Sequence, residues 1–458
     1  MISELKKICG GERVSSGMEE RIVYSYDASR RRGIPEIVVF PESEEEIRDI
    51  LLLAADKKCP VYTRGAGTGM TGGSLPQNDG IAMVLTRMNR ILEIDEKNLI
   101  ARVQPGVILK DLKDLAEKKG LFYPPDPASA KMATAGGTVA VNSGGLNGVK
   151  YGVTKDYVLS LRAVTGGGEI IHTGAGVLKS VTGYDLTRLL VGSEGTLAVI
   201  TEILFKLVPL PKKRTTMLAV FSSDEDAVSA ASAIISEPLL PCVLEFLDET
   251  AVWCAWKYRE DEILKNAGGL LLVEFDDIEE TSNTPDIQNK RAVGICREKG
   301  AVRIEETSDP SLRDKLWEIR RCLSPAVYEV GSAKANEDIC VPRDRMSRVI
   351  SKIKIIAEKH DIRVVNFAHA GDGNIHVNFM YDADDEKQVK EVEPAVRELF
   401  EMTIKQGGTL TGEHGIGITK SEFLPLEYGE NEVRLMRETK RIFDPAFILN
   451  PGKIFTGG

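Results

Sequence analysis

Through about residue 210, apolar residues fall in short runs separated by glycine-rich turns, a pattern that predicts short strands with few helices. One early helix is well marked: Ser43 can cap it, Glu46 stands at the capping-box position, and Ile47, Ile50, Leu51 and Ala54 repeat as one buried stripe. A second helix is predicted over Leu109–Lys119, stopping at Gly120. Strands are predicted at Ile81–Leu85, Leu99–Val103, Ile170–His172 and Thr196–Phe205. Pro209-Leu-Pro-Lys-Lys-Arg then reads as a linker.

Beyond it the alternation changes to longer elements. Thr216–Phe221 and Leu270–Phe275 read as strands, and Ser223–Ser236, Ile287–Lys299, Ser311 to about Tyr328, Arg345–Lys359 and Glu386–Gln406 as helices. Two more strands should flank residue 369. This is an α+β pattern. We expect a first domain over 1–210, a second over 211–425 with an antiparallel sheet, and a Pro/Gly-punctuated segment, 426–458, packing back on the first.

At 458 residues the chain exceeds one ordinary core. Its formal net charge of −10 argues against nucleic acid or an anionic membrane surface as the main partner. No apolar run approaches the ~20 residues of a membrane span, and no signal peptide is visible. Seven scattered cysteines without a CxxC spacing are expected to be reduced thiols with no iron–sulfur cluster, as in a cytoplasmic protein.

The chemistry concentrates near the end. His369-Ala-Gly-Asp-Gly-Asn-Ile-His376 and Gly412-Glu413-His414-Gly415 hold three of the five histidines. Two histidines and a glutamate with an open fourth position form a ligand set for a catalytic divalent metal, which leaves His414 as a candidate base. The plainer alternative is a glycine-rich turn with histidines at the surface. In a strand over Ile375–Phe379, however, His376 and Asn378 share one face and three apolar residues the other, as a site-lining strand requires. His172 and His360 are read as structural.

Arg64-Gly-Ala-Gly-Thr-Gly-Met-Thr-Gly-Gly73 offers successive backbone N–H groups to a diphosphate. It lacks the Lys of a Walker A loop and the acidic residue of a Rossmann unit. Tyr123-Pro-Pro-Asp-Pro, Ala135-Gly-Gly-Thr-Val-Ala-Val-Asn-Ser-Gly-Gly, Lys150-Tyr-Gly, Val191-Gly-Ser-Glu-Gly-Thr and Asn450-Pro-Gly-Lys follow in order. With these motifs the chain resembles, over nearly its whole length, the FAD-linked 2-hydroxyacid dehydrogenases on the p-cresol methylhydroxylase or vanillyl-alcohol oxidase fold. That family includes D-lactate dehydrogenases, the flavin D subunit of glycolate oxidase and D-2-hydroxyglutarate dehydrogenase.

The resemblance implies that Arg64, Gly65, Ala66, Gly67, Thr68, Gly69, Thr71 and Gly72 hold the FAD diphosphate. It puts Pro125, Asp126, Gly137, Asn142, Gly144, Gly145 and Gly152 along the cofactor, Glu194, Gly195 and Ile200 near its adenine end, and Asn450 near the isoalloxazine. With no histidine in residues 64–73, the FAD should be non-covalent. The same resemblance makes His369, His376 and Glu413 ligands of a divalent metal, zinc first, with iron or manganese acceptable. Asn378, Arg320, Ser324 and His414 become substrate contacts, His414 also the base. Where 2-hydroxyglutarate enzymes carry a lysine, this chain aligns Asn336, which favours a monocarboxylate.

The expected activity is oxidation of a 2-hydroxy acid, D-lactate or glycolate, to the 2-oxo acid. Electrons would leave through an iron–sulfur or electron-transfer flavoprotein subunit, or a quinone. A partner subunit could also tether a cytoplasmic protein to a membrane. The alternatives are a D-2-hydroxyglutarate dehydrogenase, a non-catalytic flavin electron-transfer subunit and an aromatic-alcohol oxidase on the same fold. Oligomeric state, homodimer included, is not fixed by these features.

Overall fold

The computed structural model describes residues 1–455, so the end of the expected segment 426–458 lies outside the described residues. The chain divides into two compact units, one built from 1–143, 153–210 and 413–458, the other from 144–152 and 211–412.

The first unit contains a four-stranded sheet in the order Val14–Ser15, Ile37–Val39, Ile81–Val84, Val61–Arg64, parallel except at its first pair. A helix, Glu44–Lys57, buries Ile47, Ile50, Leu51 and Ala54 in the core that also holds Leu5, Ile37 and Val39. Ser43 Oγ accepts from Glu46 N at 3.2 Å, as its cap position requires. The reciprocal half of the capping box differs. Glu46 takes both Nη atoms of Arg13 at 2.7 Å and Glu42 N at 2.8 Å, because a bidentate guanidinium is the stronger partner. The helix Leu109–Lys118 buries Leu109, Leu112 and Ala116.

A five-stranded antiparallel sheet completes the scaffold, ordered Ile91–Asp95, Ile100–Val103, Ala198–Lys206, Val158–Thr165, Ile170–Gly174. The C-terminal segment joins the first sheet. Val61 N donates to Ile448 O and Asn450 N to Val61 O, both at 2.8 Å.

The second unit is a seven-stranded antiparallel sheet with helices. Its order is Ala301–Thr307, Lys213–Phe221, Gly269–Asp277, Val243–Leu247, Arg363–His369, Asn374–Tyr381, Ala333–Cys340. One of these strands carries little apolar signal. Ala333–Cys340 reads Ala-Lys-Ala-Asn-Glu-Asp-Ile-Cys, and only pairing along its whole length with Asn374–Tyr381 makes it a strand. The helix expected from Ser311 to Tyr328 is broken into Pro310–Arg321, Leu323–Ala326 and a 3₁₀ turn, Val327–Glu329. Leu316, Trp317, Ile319 and Leu323 bury their side chains against Leu247, Val365 and Phe367 of the sheet.

Candidate active site

Register builds the centre of the second unit. Strands Arg363–His369 and Asn374–Tyr381 form a hairpin in which Phe367 faces His376 and His369 faces Asn374. Paired residues share a sheet face and every second residue returns to it, so His369 and His376 are diagonal neighbours on one face. Their Nε2 atoms lie 3.3 Å apart and both side chains are buried. The turn between them needs Gly373, whose φ is +86° and whose Cβ would sit 2.1 Å from Val341 O.

The third member arrives by a different route. Asp338 faces His376 across the next strand pair. Its carboxylate accepts from Thr411 Oγ1 at 2.9 Å and from Gly412 N at 3.0 Å. Glu413 is bonded to that anchored glycine. One ligand atom each from His369, His376 and Glu413 lies within 4.8 Å of the others. Two nitrogens held by one tetrahedral ion at ~2.0–2.1 Å stand about 3.4 Å apart, close to the spacing found here. The donor set and its spacing fit a divalent metal with an open position.

One residue of this site escaped the sequence reading. Glu245, at the centre of strand Val243–Leu247, faces His369 across the sheet and has no exposed surface. Its Oε1 lies 2.5 Å from His369 Nδ1, and its Oε2 accepts from Arg320 Nε at 2.6 Å. Burial favours the neutral acid, but the positive partners His369 and Arg320 outweigh it and hold the carboxyl below its ordinary range. In the neutral ring, donation of Nδ1–H to Glu245 leaves the lone pair on Nε2, which lies 3.3 Å from His376 Nε2. The local signal was a lone glutamate in the apolar run Val-Leu-Glu-Phe-Leu, 124 positions from His369.

Arg320 stacks its guanidinium over Phe367, 4.4 Å from the ring centroid. Asn378 is fully buried, donating to Val365 O at 3.1 Å and accepting from Asn336 Nδ2 at 2.6 Å. Lys334 lies on the same face as Asn336 and Asp338, by alternation along their strand. Ser324 is exposed in the short helix Leu323–Ala326. His360 is held between Glu391 and Glu398, while His172 is exposed on an outer strand.

In the first unit, backbone does the shaping. His414 Nε2 is 4.0 Å from Glu413 Oε1. The stretch after it is pinned at several points. Thr71 Oγ1 donates to His414 O at 3.3 Å, Ile418 N donates to Thr71 O at 2.8 Å, and buried Glu194 accepts from Ile416 N and Gly417 N at 2.7 and 2.8 Å. Burial pushes the Glu194 carboxyl up from its ordinary value. Asn450 uses its side chain on Thr63 N, Thr63 Oγ1 and Glu194 O. It therefore rivets the strand before the glycine loop to the turn at Glu194 and Gly195. Ile200 lies at a bulge of strand Ala198–Lys206.

The loop itself, residues 65–73, folds over the buried Arg64, whose Nη2 would lie 2.1 Å from a Cβ at Gly67. Gly65 abuts Thr134, which caps the helix Ala135–Val141 carrying Gly137. A Cβ at Gly69 would meet nothing within 4 Å. A glycine-lined backbone facing open space is what a diphosphate needs for close approach, so these residues fit FAD. Lys113 Nζ binds Asp126 Oδ1 at 2.6 Å and Pro125 O at 3.1 Å, and Asn142 accepts from Lys155 N at 2.8 Å. Gly144, Gly145 and Gly152 belong to the short segment that clusters with the second unit.

Among the described residues, no helix is long and apolar enough to cross a membrane. Residues 35–174 match the family described as FAD binding domain, and residues 210–454 match FAD linked oxidases, C-terminal domain. Glycolate oxidase subunit GlcD of Bacillus subtilis (strain 168) is 41% identical, over 99% of this chain and 96% of that protein. D-lactate dehydrogenase of Anaerostipes hadrus is 35% identical, over 99% and 97% respectively. Among solved structures, p-cresol methylhydroxylase superposes with a TM-score of 0.80 at 16% identity, covering 99% of this chain and 96% of that one, a likeness of fold. Family matches in both halves and relatives alike from end to end make the chain a member of the FAD-linked oxidases, an FAD-linked oxidoreductase on the p-cresol methylhydroxylase fold.

Proposed function

We propose that the protein oxidises a small 2-hydroxy acid, D-lactate or glycolate, to the 2-oxo acid at the His369, His376 and Glu413 cluster. The observation that carries this reading is the convergence of those ligand atoms within 4.8 Å, beside an arginine tied to one of them through Glu245. Non-covalent FAD would supply the two-electron acceptor for the C2 hydrogen, and a divalent ion, zinc or else iron or manganese, the charge that acidifies the adjoining hydroxyl. Arg320 binds the carboxylate through its Nη atoms, since Nε is engaged by Glu245. His414 receives the hydroxyl proton, a task suited to an imidazole with a reference pKa of ~6.5. Asn378 and Ser324 are the further substrate contacts in this reading. Gly65–Gly73, Pro125, Asp126, Gly137, Asn142, Gly144, Gly145, Gly152, Glu194, Gly195, Ile200 and Asn450 form the flavin cradle.

In domain terms, 1–210 and 426–458 serve the flavin and 211–425 the substrate. Electrons leave to a second subunit, iron–sulfur or flavoprotein, or to a quinone. The match to a protein named as a glycolate oxidase subunit supports a partner of this kind, which could also tether a cytoplasmic chain to a membrane.

A second reading has one specific support. Lys334 shares the face of Asn336 and could meet a distal carboxylate, as a D-2-hydroxyglutarate dehydrogenase would need. Stopped-flow bleaching of the flavin against D- and L-lactate, glycolate and D-2-hydroxyglutarate, with and without chelator, separates the two. Fast bleaching by a monocarboxylate that chelation abolishes is the expected result. Chelator-insensitive reduction would overturn the metal reading.

A further inference from the structure

We propose that Glu245 is a positioning residue whose single carboxylate sets both the metal ligand His369 and the substrate arginine Arg320. The inference rests on the metal reading above and adds the residue that ties ion binding to carboxylate recognition. Each oxygen of Glu245 has its own partner. Oε1 lies 2.5 Å from His369 Nδ1 and Oε2 lies 2.6 Å from Arg320 Nε. The first contact fixes the tautomer that presents Nε2 to the cluster, and it raises the basicity of that nitrogen. The second turns the guanidinium so that its Nη edge is left for a carboxylate, with Phe367 supporting its flat face at 4.4 Å.

Sequence and register explain why one residue can do both. Strand Val243–Leu247 pairs with Arg363–His369 so that Glu245 stands directly opposite His369. The helix Pro310–Arg321 buries Trp317 and Ile319 in the same core as Leu247 and Phe367, which brings Arg320 within reach from the helix end. Glu245 has no exposed surface, so neither contact competes with water. A carboxylate serving only as a buried counter-charge for Arg320 would need no contact with the histidine.

The test measures zinc alone, competed against a chromophoric chelator, on the FAD-loaded full chain, followed by KM and kcat for the 2-hydroxy acid at saturating zinc. Glu245→Gln should weaken zinc by ~10–100-fold, the effect of losing a partner behind a metal-bound histidine. With zinc restored, KM should still rise about 10- to 100-fold, in line with a misdirected charged hydrogen bond. Arg320→Gln should raise KM and leave zinc affinity unchanged.

Unchanged zinc affinity in Glu245→Gln overturns the proposal, as does an equal loss of zinc in both variants, which would point to local unfolding. Failure of the wild-type protein to bind a divalent ion overturns the metal reading and this inference together, and is thereby distinguished. If Glu245→Gln does not accumulate as FAD-loaded protein, Glu245→Asp carries the test. It keeps the charge but shortens the reach, so its zinc affinity should fall, and an unchanged value overturns the proposal.

Discussion

The two units place functional groups by opposite means. In the second, side chains do it: Glu245, His369, His376 and Asp338 come from four strands and share one face because the register of the sheet aligns them. In the first, backbone does it. The loop 65–73 and the stretch 414–418 are shaped by glycines, and the stretch is held through main-chain groups by Thr71 and Glu194. A register-built site should fail when one side chain changes its donor atoms. A backbone-built site should fail when a Cβ is added. The contrast lets the halves be broken separately.

The largest expected effect lies where the two meet in sequence, at neighbours with different proposed tasks. His414→Ala should keep zinc and FAD yet slow flavin reduction by ~10²–10⁴-fold, the range for a lost general base. Its residual rate should rise with pH as hydroxide takes over. Glu413→Gln should instead lose zinc while retaining FAD. Stopped-flow reduction combined with metal analysis reads both. The reverse pattern would exchange the two roles, and normal rates in both variants would make the cluster structural.

The same contrast explains what could be read from the chain beforehand. Glycine loops are local, so residues 64–73 and 369–376 announce themselves within ten positions. The helix at Glu44–Lys57 was equally plain, since its cap and its buried stripe are contiguous. Glu245 and Asp338 were not legible. Each reaches the site through pairing with a distant strand, and the polar run Ala333–Cys340 becomes a strand only through that pairing. Asn378 was placed correctly on the face of His376, but its enclosure against Asn336 and Val365 depends on neighbours that periodicity does not identify. Local signals exposed the His369, His376 and Glu413 cluster, and long-range register supplied the contacts around it.

An intermediate effect tests the backbone side of the comparison. Gly67 has φ +74°, and a Cβ there would stand 2.1 Å from Arg64 Nη2. Gly67→Ala should cost ~1–2 kcal/mol for the left-handed backbone, plus the displacement of a buried guanidinium. FAD occupancy, read from the ratio of flavin to protein absorbance, should fall while zinc affinity is unchanged. Loss of zinc with FAD retained would show that the units are not separable in this way.

The smallest effect concerns a histidine off the site, whose titration must be kept apart from that of His414 in any pH profile. His360 follows the helix Met346–Lys359 and joins Glu391 Oε2 at 2.7 Å and Glu398 Oε2 at 3.0 Å, both from the helix Glu386–Lys405. Partial burial favours the neutral ring, but the two carboxylates outweigh it and raise the pKa, even though Lys359 shares Glu398 at 2.7 Å. A raised folded-state value means the folded chain binds the proton more tightly than the unfolded chain. The added stability is therefore fully present below pH ~6.5 and is lost as pH rises through the folded value. Urea unfolding of wild type and His360→Gln should differ by ~0.2–1 kcal/mol on the acid side, less in high salt, and converge in alkali. Flavin reduction by the variant should keep the wild-type pH profile, because the second unit's stability and the proton transfer at His414 are separate titrations. A shifted profile would show that part of the pH dependence assigned to the base belongs to the fold of the second unit.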